Sequence, residues 1–142
     1  IMRSLLWIIP IVILTGCSIK PQPIVFGKDA CVYCKMNIVD EQHAAEIVTS
    51  KGKVYKYDAI ECMLKDETNN KEELVGMYLV VDFLKPDGFI DATKATYLIS
   101  EAIPSPMGEY LSAFNDKSQT SEFISNESDA TYTWTQINKK IK

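Results

Sequence analysis

The sequence predicts an α+β fold of two consecutive ββαβ units packed together, with small mixed or antiparallel sheets and one or two helices in each half. Two observations carry this prediction. Paired apolar runs with a two-residue period precede a helix-like stretch and a further apolar run, once near 44–84 and again near 89–137. Between them, Pro86-Asp-Gly88 reads as a turn. The halves share an order of elements and no residue-level repeat.

Ahead of the fold, Arg3 supplies a positive charge and Leu5–Leu14 is an apolar run. That run has the length of a secretory signal and falls short of the roughly 20 residues that a spanning helix needs. Residues 1–16 are therefore expected to be a sorting signal. Residues 17–28 contain Pro21, Pro23 and Gly27 and read as a flexible tether. The folded domain is expected over 29–137, in halves of about 29–85 and 86–137.

Ala44–Ser50 is loosely alternating and rich in β-formers, Lys51-Gly52 gives a turn, and Lys53–Tyr57 alternates strictly, which together predict a hairpin. Asp58 is a plausible N-cap with Glu61 in the capping-box position, so a helix is expected over about 58–67. Met77–Leu84 reads as a buried strand, and Phe89–Ala92 and Thr96–Ser100 as two more. Glu109–Phe114 is expected to open a helix, with a second helical piece near 119–126 capped by Ser118 or Thr120. Ala130–Ile137 alternates and is aromatic and β-branched, which predicts the last strand, and residues 138–142 read as a solvated basic tail.

Composition narrows the function. A chain of 142 residues with 46% hydrophobic content can build a modest core. Its formal net charge of −4 offers no concentrated basic surface for nucleic acid. Sulfur is the distinctive chemistry: Cys31-Val-Tyr-Cys34-Lys-Met36 places two thiols and a thioether within six residues. Soft donors of this kind suit Cu(I), whereas Mg²⁺ and Ca²⁺ require oxygen ligands.

Cys-x-x-Cys alone is ambiguous. It serves structural zinc sites, redox dithiols, disulfides and copper sites. Structural zinc wants four ligands, and only Cys62 and His43 are available as remote partners. A thioredoxin-type dithiol belongs at a strand end leading into a helix, whereas this pair lies on an irregular lead-in to a hairpin. Met107 stands in Pro104-Ser-Pro-Met-Gly108, where prolines restrict the backbone and Gly permits close approach, so the loop is suited to presenting a thioether. Cys62, beside Ile60 and Met63 on a helical face, reads as a buried small hydrophobe or a disulfide partner of Cys31, and remains available as a third thiol ligand.

Two resemblances follow from these residues. Leu14-Thr-Gly-Cys17 resembles the lipobox of bacterial lipoproteins, which implies acylation of Cys17 and a domain held at the cell envelope on its extracytoplasmic side. With Cys17 committed to lipid, three thiols remain in a compartment that usually oxidises them. Taken with the lipobox, Tyr33-Cys-Lys-Met36, the Lys53–Met63 block and Pro106-Met-Gly108 resemble the NosL family of nitrous oxide reductase accessory lipoproteins, which act as copper chaperones. The resemblance covers about residues 29–137. It implies paired ββαβ units, Cu(I) on Cys34, Met36 and Met107, a carrier rather than an enzyme, and nitrous oxide reductase with its ABC-type maturation complex as partners. Lys35 stands where the family usually has Gly, and His43 is displaced from where a His often lies, which leaves an imidazole ligand or a second metal such as Zn(II) open. The competing expectations are a lipid-anchored thiol–disulfide oxidoreductase using Cys31 and Cys34, and a zinc-stabilised binding module.

Overall fold

A computed structural model describes residues 10–13, 16 and 18–142. The expected sorting signal lies mostly outside the described residues, as does Cys17. No described helix is long and apolar enough to cross a membrane.

The predicted hairpin forms. Strand β1 (Ala45–Thr49) pairs antiparallel with β2 (Val54–Tyr57), and Gly52 takes a φ of +87° at the turn, a conformation costly for residues with a Cβ. Helix α1 (Ile60–Lys65) follows, and β3 (Val75–Asp82) then pairs with the other edge of β1. This realises the first ββαβ unit.

The boundary between the halves differs from the expectation. Pro86-Asp-Gly88 lies inside strand β4 (Lys85–Asp91), which pairs with β3 and completes a four-stranded sheet in the order β2-β1-β3-β4. The turn sits at Phe83-Leu84 instead. Pro86 is tolerated because β4 is an edge strand, where a missing N–H leaves no ladder bond broken.

The second sheet has the order β6-β5-β7, with β5 (Thr96–Ile99), β6 (Leu111–Phe114) and β7 (Ala130–Tyr132) all antiparallel. Four expectations are corrected in this half. Leu111–Phe114, expected in a helix, is the fully buried strand β6, because its backbone finds partners along β5. The strand expected over 130–137 ends at Tyr132, and helix α2 (Trp134–Ile141) takes over. Thr133 caps α2 in a reciprocal capping box with Gln136, satisfying two N–H groups that would otherwise lack partners. The expected basic tail thus forms the last turns of this helix, and Ile141 packs against the core. The helical piece expected near 119–126 is a 3₁₀ segment over Lys117–Phe123, capped by Asp116 rather than by Ser118 or Thr120.

One apolar core spans both sheets and both helices, with Tyr57, Tyr97, Ile47, Met63 and Ile137 fully buried. The sheets are joined where Phe83 N–H donates to the Ala113 carbonyl at 2.9 Å. The tether is shorter than expected. Gln22 N–H donates to buried Glu46 at 2.8 Å, Lys56 reaches the Pro23 carbonyl at 3.0 Å, and Ile24 and Phe26 pack on the core. Ordered structure therefore begins before residue 29.

Candidate metal centre

Residues 31–36 form a loop closed at its base by an isolated antiparallel bridge between Ala30 and Asn37. Cys31 N–H donates to the Met36 carbonyl at 2.8 Å, and Lys35 N–H to the Cys31 carbonyl at 3.0 Å, which coils the loop on itself. Val32 N–H donates to the Lys56 carbonyl at 3.0 Å and pins the coil to β2. To close this turn Lys35 adopts a φ of +67°. In that left-handed region a residue with a Cβ is disfavoured by roughly 1–2 kcal/mol, which gives a physical reason for Gly at this position in the family pattern.

The loop brings its thiols against the start of α1. The ligand atoms of Cys31, Cys34, Asp58 and Cys62 all lie within 4.8 Å of one another. Cys31 is 1% exposed, Cys62 0% and Asp58 3%, while Cys34 is half-buried and forms the accessible member. Asp58 is not the helix cap that the sequence suggests. The N-cap position falls on Ala59, without a side-chain bond, and one Asp58 carboxylate oxygen instead accepts from the Cys34 and Cys62 thiols, each at 3.4 Å. Its place four residues before Cys62 was the available signal, and the capping pattern hid it.

The three sulfurs are not equivalent. Cys31 is drawn down to about 6, first because the Cys62 thiol donates to it, with burial opposing and the N–H groups of Cys34, Asp58 and Tyr33 assisting. Such a nest of N–H groups favours an anion. Burial pushes Cys34 up to about 11, and Cys62 is raised well above the ordinary thiol range by the neighbouring Cys31 sulfur and by burial. One sulfur is thus poised as thiolate and two as thiols, so a metal taking all three must displace protons.

Met107 occupies the corner of a β-turn with Pro106 before it, closed by Gly108 N–H donating to the Ser105 carbonyl at 3.0 Å. The turn is tied to α1 at two points. Ser105 Oγ donates to Glu61 Oε1 at 2.5 Å, and Lys65 forms an ion pair with Glu109. Glu61 and Lys65 are one helical turn apart, on a face roughly 60–100° around from Cys62. Lys65 also lines a surface cleft with Val32, Tyr33 and Lys35, so the Cys loop and the Met107 turn both adjoin the C-terminal end of α1 at Lys65.

Of the sequence-derived candidates, Cys31, Cys34 and Cys62 are brought together. Met36, on the Cys loop, is 49% exposed and Met107 is 37% exposed, so both side chains are partly open to solvent. His43 is placed elsewhere. Its ring nitrogens engage Asp40 at 3.0 Å and Ser112 Oγ at 2.9 Å, and Phe83 packs on it. Both nitrogens are therefore engaged, Nε2 tying the segment before β1 to β6 and Nδ1 held locally by Asp40.

A sequence profile of the NosL family matches residues 24–141. Among solved structures, the fold resembles the crystal structure of the copper chaperone NosL from Shewanella denitrificans, with a TM-score of 0.66 and 21% identity. The match covers 83% of this chain and 95% of that one. No match was found among curated proteins. The solved structure establishes a shared α+β architecture, and the profile spans well over half of the sequence. On that ground, the chain belongs to the NosL family.

Proposed function

We propose that this protein is a lipid-anchored, extracytoplasmic Cu(I) metallochaperone that supplies copper for nitrous oxide reductase maturation by ligand exchange. The observation that carries this reading is the convergence of Cys31, Cys34 and Cys62 on one carboxylate, from segments some thirty residues apart in the chain. A sulfur-rich, mostly buried donor set favours a soft monovalent ion.

The family resemblance assigns Cu(I) to Cys34, Met36 and Met107, and the burial pattern fits a layered site. Cys31 and Cys62 are buried, Cys34 is half-buried, and Met36 and Met107 are exposed. Thioethers are neutral donors, so a receiving thiolate or imidazole can displace one while the cysteine still holds the ion. No substrate bond is made or broken, which makes the protein a carrier and not an enzyme. Acylation of Cys17 would keep it at the cell envelope, near the ABC-type maturation complex and nitrous oxide reductase. The Asp58 oxygen and three sulfurs also make a four-donor set suited to Zn(II), which supports a second metal as an alternative occupant.

The test is a titration of the full chain in detergent with Cu(I), under anaerobic reducing conditions and against a chromophoric Cu(I) chelator. One tightly held ion per chain is expected, lost in Cys34→Ser. A wild-type protein that leaves all the copper with the chelator overturns the reading. Full affinity in Cys34→Ser together with catalysed disulfide reduction favours the oxidoreductase, and unfolding on removal of Zn(II) favours the zinc-stabilised module.

A further inference from the structure

We infer that Cys31 and Cys62 form a redox gate, closing to a disulfide that dismantles the sulfur site and reopening to restore it. The inference rests on the copper reading for its consequence and on geometry for its chemistry.

The NosL resemblance uses one cysteine of the domain, Cys34, so the other two require an account. All three are free thiols in this structure. The Cys31 and Cys62 sulfurs lie within 4.8 Å of each other, and both side chains are fully enclosed. A disulfide requires about 2.05 Å between sulfurs, a movement of under roughly 3 Å shared between a loop and a short helix. Cys31 lies on a hydrogen-bonded loop and Cys62 in a six-residue helix, so the approach is made by side-chain rotation with small shifts of the two segments.

Cys34 supplies the route from solvent. Its half-buried sulfur gives up its proton to solvent and, as the thiolate, attacks an external low-molecular-weight disulfide, breaking that S–S bond and forming a mixed disulfide, while the released sulfur takes up a proton and leaves as a thiol. Cys31 then displaces the second thiol to give Cys31–Cys34, and Cys62 attacks the Cys31 sulfur to give Cys31–Cys62 and return Cys34 as a thiol. Two electrons and two protons pass from the buried pair to the external disulfide, which leaves as two thiols. The bond comes to rest where incoming thiols reach it least. In that state Asp58 loses the Cys62 donor, and only one cysteine of the cluster remains free for metal.

The experiment treats the full chain in detergent with oxidised glutathione, maps disulfides by peptide mass, and measures Cu(I) affinity before and after by chelator competition. The copper competition is run after excess glutathione has been removed. A Cys31–Cys62 bond, at least a hundredfold weaker copper binding and full recovery on treatment with dithiothreitol are the expected results. A final Cys31–Cys34 bond, no disulfide, or unchanged affinity after Cys31–Cys62 has formed overturns the gate and leaves the copper reading intact. A Cys31–Cys62 bond in a protein whose reduced form never binds copper overturns the copper reading instead, and with it the gate's control of metal.

Discussion

The two loops that carry sulfur toward α1 are built in opposite ways. In the Cys loop the two thiols turn inward, toward Asp58 and a buried helix start, while Met36 stays exposed. In the Ser105–Gly108 turn the donor points to solvent, and the anchoring is left to its neighbours Ser105 and Glu109. On the proposed copper reading, the difference would separate two tasks of a carrier. Buried, hydrogen-bonded thiols set affinity, because the cost of organising them is met on folding. On the same reading, an exposed thioether on an anchored turn would set the rate of exchange, since it could leave or return without disturbing the core.

The largest expected effect is on the buried side. Cys34→Ser and Cys62→Ser should each weaken Cu(I) binding by more than the roughly 10–100-fold that a change behind the ligands costs. Chelator competition measures this, and affinity within threefold of wild type in either variant would break the division of labour. Next comes Asp58→Asn, which keeps the shape of a residue that orients two thiols and is expected to cost roughly 10–100-fold. A smaller loss, with intact folding by circular dichroism, would mean that the sulfurs hold their positions unaided.

Met107→Leu, a swap of similar volume, should lower equilibrium affinity by about tenfold or less and speed transfer to a competing chelator in stopped-flow measurements. Slower transfer would place the thioether in the receiving step and reverse the comparison. The smallest effect is on stability. Lys35→Gly relieves the left-handed strain and loses the hydrogen bond from Lys35 to the Val32 carbonyl, with a net gain of about 0.5–1 kcal/mol after the backbone entropy of glycine is counted. Denaturant melts of the metal-free protein read it directly, and destabilisation would show that the lysine contact outweighs the strain.

How far each element was legible depended on the range of its causes. The β1–β2 hairpin was readable because alternation and Gly52 act within a few residues. Strand β6 was not, since Leu111-Ser-Ala-Phe114 carries no strong strand signal and becomes a strand by pairing with β5. Helix α2 opens in a Thr- and aromatic-rich run that imitates a strand, yet Thr133 and Gln136 held the capping-box spacing that marks its start. At the metal centre the cysteines were visible as residue types, whereas Asp58 was concealed by an equally reasonable local role.

By itself the sequence determined the kind of chemistry on offer: soft donors in short motifs, no basic surface, and enough alternating apolar residues for small sheets. Those are properties of residue type and near neighbours. Tertiary structure alone decided that residues 31 and 62 meet over the carboxylate at 58, that His43 is committed to Ser112 instead, and that Pro86 belongs to an edge strand. Each of those outcomes depends on which distant backbone and side-chain groups satisfy one another once water is excluded, and local pattern does not encode that choice.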